Sequence, residues 1–304
     1  MSDVRRGLLL GAAAYGIWGL FPLFWPLLEP ATAREILAHR VLWSVLAMGL
    51  VVVVLRRGPA VRALWGEPRR RAWLALAAIV VACNWGGYIW GVNNGHVVET
   101  SLGYFINPLV TVLLGVTVLG ERLRTLQWAA LGLALVAVVV LTVDYGRPPW
   151  VALLLAVSFG VYGLAKKQAA AGAVESLTLE TAFLAPLALA YAVGLTLTGG
   201  ATFTSEGAGH ALLLASAGLV TAVPLVLFGA AATRMPLVML GLLQYFAPIL
   251  QFGLGLLVFD EEMPPGRWIG FGLVWVALVM LTAESLRHHR RAQLARAAEA
   301  LTAA

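Results

Sequence analysis

The chain has a single cysteine, Cys83, and only 12% of its 304 residues are charged. A lone thiol excludes a disulfide framework and a cysteine-built metal site. Soluble domains carry about 25% charged residues, and a chain that falls so far below this while being 61% hydrophobic would aggregate in water. Acidic residues are scarcer than basic ones, 15 against 21, which gives a net charge of +6 and a pI near 9.9. Such a balance can signal nucleic acid, but here the cations sit in short segments flanking apolar runs instead of on one face of a domain, so no nucleic-acid partner is implied. The sequence contains no His-Glu-x-x-His motif, no paired aspartates within an apolar run, no Walker sequence and no Gly-rich turn after a strand. Catalytic chemistry therefore finds no foothold, and neither cofactor nor metal is implied. Long polar loops are missing too. The longest, 56–72, is dominated by Arg, Gly and Pro, which leaves function to the apolar part.

Apolar sequence is what the chain has in abundance, with a mean hydropathy of +0.86. Ten runs near 7–27, 36–55, 73–93, 99–119, 126–143, 149–165, 178–198, 209–230, 237–258 and 268–285 are each long enough to be expected to cross a bilayer as helix. The expected fold class is thus an all-α polytopic membrane protein with ten transmembrane helices. All of the 21 Lys and Arg except Arg34, Arg40, Arg147 and Arg267 fall on one set of alternate loops and the termini. By the positive-inside rule both termini are expected in the cytoplasm, and the basic loops are expected to contact anionic lipid of the bilayer. Arg5 and Arg6 before Gly7–Ala14 imitate the front of a secretory signal. Apolar sequence runs on through Trp18, Phe21 and Phe24, so the first run reads as a retained signal anchor. Trp65, Trp128, Trp150 and Trp268 are placed to anchor at the membrane interfaces.

Sliding the chain against itself by 140 residues aligns Pro108 with Pro248, Gly115 with Gly255, Glu121 with Glu261, Trp128 with Trp268, Gly132 with Gly272 and Leu141-Thr142 with Leu281-Thr282. Each half then holds five runs. Because five is odd, the second copy enters the membrane from the other side, and the halves are expected to be inverted repeats. This is an architecture of secondary transporters, where exchanging the conformations of the halves turns the cavity from one side to the other. A duplicated channel or a structural membrane protein is the alternative.

Polar side chains inside the runs mark helix packing or a pathway. Asn84, Tyr88, Gly91 and Gly95 share one helical face, and Asn84 reads equally as a solute contact or an interhelical hydrogen bond. Tyr104, Pro108, Thr111 and Gly115 share a face of the fourth run, and Gln244, Pro248, Gln251 and Gly255 share the equivalent face of the ninth, with Asn107, Tyr245 and Phe246 as lesser candidates. Pro108 and Pro248 are expected to kink their helices and free a carbonyl. His39 and Arg40 enter the second run from the outer side and Glu180 enters the seventh from the inner side, so they are not expected to pair; a gate or coupling role is assigned to all three as a hypothesis. Thr32 and Glu35 fit a capping box, the helix dipole alone favours Glu180, Lys166 and Lys167 are expected to snorkel to the inner surface, and Glu121 and Glu261 are expected to end their helices in loops.

Several segments together resemble a known family. They are Tyr15–Pro22, Glu35–Ser44, Asn84-Trp85 with Val92–His96, Ser101–Leu109, Ser158–Leu164, Thr221–Leu225 and Gly241–Pro248. They are similar to the RarD branch of EamA-type transporters in the drug/metabolite transporter superfamily. The resemblance implies a multi-pass carrier of the bacterial inner membrane, with EamA repeats over 1–148 and 149–286 and a basic cytoplasmic tail over 287–304. It also implies a central cavity for small metabolites or drugs. Members of the branch are often labelled chloramphenicol-sensitive proteins, and relatives export amino acids and other metabolites. One departure is Ala165-Lys166-Lys167, where the family often has Arg-Lys after Tyr-Gly-Leu. The resulting expectation is a secondary transporter working by alternating access, of the exporting kind, on a small-molecule solute. Asn84, Tyr88, Tyr104, Asn107, Thr111, Gln244 and Gln251 would offer hydrogen bonds to it and Trp18, Trp85, Tyr162 and Tyr245 aromatic surface. Runs five and ten, at the periphery, could support a homodimer. A non-transporting receptor or assembly subunit, or a channel, is the rival reading.

Overall fold

A computed structural model of the chain describes residues 3–120, 122–235 and 237–302, so Glu121 lies outside the described residues. The order of elements is α1 Asp3–Gly19, α2 Phe21–Phe24, a 3-10 turn Trp25–Leu28, α3 Ala33–Val54, α4 Gly58–Gly66, α5 Pro68–Asn93, α6 Val97–Leu119, α7 Thr125–Tyr145, α8 Trp150–Ala169, α9 Ala173–Leu197, α10 Thr202–Ser205, α11 Gly207–Ala232, α12 Leu237–Leu243, α13 Phe246–Leu257 and α14 Pro265–Thr302. Among the described residues nine helical segments are long and apolar enough to cross a membrane, and ten if α1 and the bent stretch Phe21–Leu28 count as one span. The protein is a polytopic helical membrane protein. Large apolar side chains such as Leu46, Leu50, Val53, Leu187, Leu197 and Val143 lie exposed along these helices, a belt that only lipid can cover.

Local signals explain the boundaries. Thr32 Oγ1 accepts from the Glu35 amide at 3.3 Å to start α3, which realises one half of the expected capping box. Pro59 and Pro68 occupy first-turn positions of α4 and α5, where their missing N–H is no loss. Gly120 and Gly146 take φ of +68° and +64° to close α6 and α7 with left-handed caps.

Several boundaries differ from expectation. The first span bends by 45° after Gly19, where Pro22 and Pro26 fall in successive short turns. The 56–72 loop folds into α4 and the first turn of α5, and the chain beyond 285 continues as helix. Since α9 begins at Ala173, Glu180 lies two turns inside it, beyond the reach of the terminal dipole that was expected to account for it.

The most extensive helix contacts all join a helix before residue 148 to one after it: α5 with α8, α6 with α8, α3 with α9 and α11, α1 with α11 and α13, α6 with α13, and α7 with α14. The halves interdigitate. Small residues allow this closeness. A Cβ on Gly103 would stand 2.8 Å from the Ala152 carbonyl oxygen of α8, and one on Gly218 would collide with the Trp43 backbone of α3. The α7/α14 pair touches the remainder mainly through α6, placing it at the rim. With ten crossings the termini share one face, here the termini face; the loops 94–96, 146–149 and 258–264 lie on the opposite face.

Candidate functional site

Helices α3, α5, α6 and α11, with the bent segment after α1, bring Arg40 and several polar side chains together in the interior. Arg40, two turns into α3, is 3% exposed. Its Cζ lies 4.0 Å from the Trp85 ring centroid, 4.9 Å from that of Trp25 and 5.7 Å from that of Phe21. Nε donates to Thr221 Oγ1 of α11 at 2.9 Å, and that hydroxyl donates to the Ala217 carbonyl at 2.8 Å. None of the ion pairs among the described residues involves Arg40.

Beside this box, Asn84 and Tyr88 project from one face of α5 because they are four residues apart. Asn84 Nδ2 donates to the Leu155 carbonyl at 3.1 Å and to Ser158 Oγ at 3.0 Å on α8, and its Oδ1 accepts from the Tyr104 hydroxyl at 3.2 Å. The interhelical role weighed for Asn84 is therefore realised, and it also aims Tyr104. Tyr88 packs edge-on against Tyr104 with centroids 5.7 Å apart, yet its buried hydroxyl has no hydrogen-bond partner. Asn107 Nδ2 donates to the Ala156 carbonyl at 3.2 Å, and Thr111 Oγ1 back-bonds to the Asn107 carbonyl at 3.0 Å.

The other candidates sit elsewhere. Gln251 on α13 donates through Nε2 to the Trp18 carbonyl at 2.9 Å while its buried Oε1 finds no partner. Trp18 packs with Tyr15 and Phe228, at centroid distances of 5.2 and 5.8 Å. Tyr245 is half-buried against the α6/α7/α14 cluster. Gln244 is exposed at the junction of α12 and α13. That break has a local cause: Pro248 cannot donate to the Gln244 carbonyl four residues back. Pro108, by contrast, lies inside an uninterrupted α6. His39 points away from Arg40 and stacks on Phe203 at 4.5 Å, lining an apolar groove of about 570 Å³ between α3 and α9 with Trp43, Leu46, Leu189 and Val193. That groove is lined mainly by apolar side chains and includes neither Arg40 nor Phe21, Trp25, Trp85 or Thr221, so we assign it no part in the site.

Toward the termini face, Glu180 is fully buried and accepts from the Tyr162 hydroxyl at 2.9 Å. Lys166 Nζ stands 3.3 Å from its other oxygen and also bonds Ser176 Oγ. Lys166 thus turns inward to a carboxylate and does not reach for the surface as expected. Glu180 and Arg40 do not meet.

On the opposite face a carboxylate missed as a functional group takes a structural place. Glu261, in the loop after α13, accepts from the amides of Val97 and, at 2.9 Å, Val98. It thereby caps α6, whose own N-cap residue His96 offers no side-chain bond. Burial pushes the Glu261 carboxyl up to about 7, against the pull of those amides and of Arg267. Burial likewise lowers His96. Glu99 accepts from Arg147 Nη2 at 2.8 Å and from the Val151 amide at 2.9 Å, and Arg267 Nε donates to Asp144 at 3.1 Å. The repeat match of Glu121 with Glu261, next to a helix start lacking Ser, Thr, Asp or Asn, was the signal for this cap.

Residues 5–143 match the model of the EamA-like transporter family. The chain is 58% identical to Protein RarD of Streptomyces exfoliatus over 96% of its own length and 93% of that protein. It is 43% identical to an uncharacterized transporter of Pseudomonas aeruginosa, covering 95% of this chain and 97% of that one. A solved crystal structure aligns over 91% of this chain and 96% of its own with a TM-score of 0.56 and 20% identity, a likeness of fold.

Proposed function

Because the chain belongs to the EamA-like transporter family, in its RarD branch, we propose that it is a secondary transporter moving a small solute across the bacterial inner membrane by alternating access, in the direction of export. The observation that carries this reading is the buried polar and aromatic cluster around Arg40, built where helices from before and after residue 148 interdigitate. Ionisable groups inside a bilayer are costly and mark pathways. We read 1–148 and 149–286 as inverted repeats, the termini face as cytoplasmic, and 287–304 as a basic tail there. The exposed Gln244, set within a span, supports a water-filled vestibule on the termini face, since a primary amide facing lipid would stay unsatisfied. Opposite, Gln251 on Trp18, Val98 against Gly255 and Glu261 on α6 form the closed side. The rim position of α7 and α14 leaves both free to support a homodimer.

The test begins with a deletion strain compared with its complemented parent for retained and exported metabolites. A solute that accumulates inside the deletion strain and returns to the medium on complementation supports export. That solute then serves in proteoliposomes, where a carrier shows saturable counterflow, a channel flux without counterflow, and a receptor or assembly subunit no flux. Asn84→Ala and Gln244→Ala are expected to lower flux while inserting normally; wild-type flux in both would remove these residues from the pathway.

A further inference from the structure

A guanidinium carries its charge under all ordinary conditions, and burying it without a counter-charge costs several kcal/mol even after relaxation. Arg40 is buried in that condition. Three aromatic faces surround it and supply cation–π attraction, which offsets part of the cost and leaves the charge itself unneutralised. Thr221 holds Nε and so fixes the orientation of the fork; no other hydrogen bond of the guanidinium is made among the described residues. No buried acidic group pairs with it: Glu35 turns one oxygen to the Phe203 amide and leaves the other without a partner, Glu180 is held by Tyr162 and Lys166, and Glu99 by Arg147. The second unsatisfied donor is close by. Tyr88 is 2% exposed, its hydroxyl has no partner, and it lies within electrostatic range of Arg40 together with Tyr104, whose own hydroxyl is taken by Asn84.

Unpaired hydrogen-bond donors, the planar cationic fork of Arg40, the Tyr88 hydroxyl and the Trp25 indole N–H, thus stand among indole and phenyl faces, with no ion pair to an acidic side chain. We infer that the solute is an organic carboxylate with a flat apolar body, its carboxylate taken by the free edge of Arg40 and the Tyr88 hydroxyl and its body laid against the aromatic walls. The fork suits a carboxylate because two parallel N–H···O bonds can form at once. A zwitterion or a cation finds no counter-charge in this box, which separates this class from amino acids and amines. The inference rests on the transport reading above for its meaning, but the binding site can be tested apart from it.

The experiment measures quenching of tryptophan fluorescence in the purified full chain by benzoate and phenylacetate, by their neutral amides benzamide and phenylacetamide, and by inorganic phosphate. Counterflow of labelled phenylacetate in proteoliposomes is run alongside. The carboxylates are expected to bind about tenfold or more tightly than the amides, because a site built around an ionic donor rejects a partner that cannot answer it. Arg40→Gln is expected to abolish that preference, and Tyr88→Phe to weaken it. Melting in detergent separates this from a structural role. Removing an unpaired buried charge should leave Arg40→Gln as stable as the wild type or more so, whereas a purely structural arginine would leave it less stable. Equal binding of acids and amides, a preference surviving in Arg40→Gln, no binding of any carboxylate, or tighter binding of phosphate would each overturn the carboxylate assignment. Arg40-dependent binding without counterflow would sink the transport reading and keep the site. Counterflow of the amides with no preference for the acids would do the reverse.

Discussion

Glu261 shows how one side chain can couple protonation to the arrangement of two helices. Its carboxyl is pushed up to about 7 where it caps α6, with Arg267, Glu99 and Tyr145 as its charged or titratable neighbours, Arg267 being tied to Asp144 and Glu99 to Arg147. If the loop parted from α6, water would return the group to the ordinary carboxylate range of about 4.3. The closed arrangement therefore binds the proton more tightly. Its stabilisation is complete below the ordinary value and is lost as pH rises through 7. Melting temperature in detergent should rise as pH falls from about 8 to 6, and Glu261→Gln should flatten that rise; superimposable profiles would show that the cap does not titrate there. The residue scale was also where the sequence was least legible. Asn84, Tyr88, Tyr104 and Arg40 could be picked out as uncommon polar groups in apolar runs. That Thr221 and Trp25 complete the Arg40 box, or that His39 turns from it, depends on helix rotation, which composition does not encode.

At the scale of elements, the matching prolines behave differently. Pro108 lies within the continuous α6, while the helix is interrupted at Gln244 and Tyr245, just ahead of Pro248. Pro248→Ala restores the missing donor to the Gln244 carbonyl and is expected to raise melting temperature while lowering flux, because the break would no longer be built in. Unchanged flux would make the break incidental. Close helix crossings make a second prediction. Gly103→Leu drives a side chain into the Ala152 backbone and should destabilise by about 1–3 kcal/mol, whereas Gly132→Ala, with open space around it, should melt as the wild type does. Element existence was readable in advance because runs of about 20 apolar residues have no other solution in a bilayer. The bend after Gly19, the helix α4 in the basic loop and the early start of α9 were not, since prolines and cations set where a helix can end without deciding where it does.

For the whole molecule, the sequence repeat indicated five spans in each half, but not that the strongest contacts would all run between halves. Pattern within a chain reports periodicity; which faces meet is settled by the shapes of small residues such as Gly103, Gly218 and Gly255. Interdigitation places Val98 of α6 directly against Gly255 of α13 on the opposite face, where a Cβ at 255 would lie 3.5 Å from the Val98 Cα. The two backbones are close enough there for a paired-cysteine cross-link to join them, and Cys83, exposed on α5, can be removed by Cys83→Ala. The most direct test of alternating access is counterflow, in proteoliposomes, by the Val98→Cys/Gly255→Cys protein in that background, using the solute that the deletion strain retains. Under alternating access, oxidation locks the two helices and stops counterflow, and reduction restores it. Full counterflow with the cross-link formed would contradict it, because the opposite face would then never need to open.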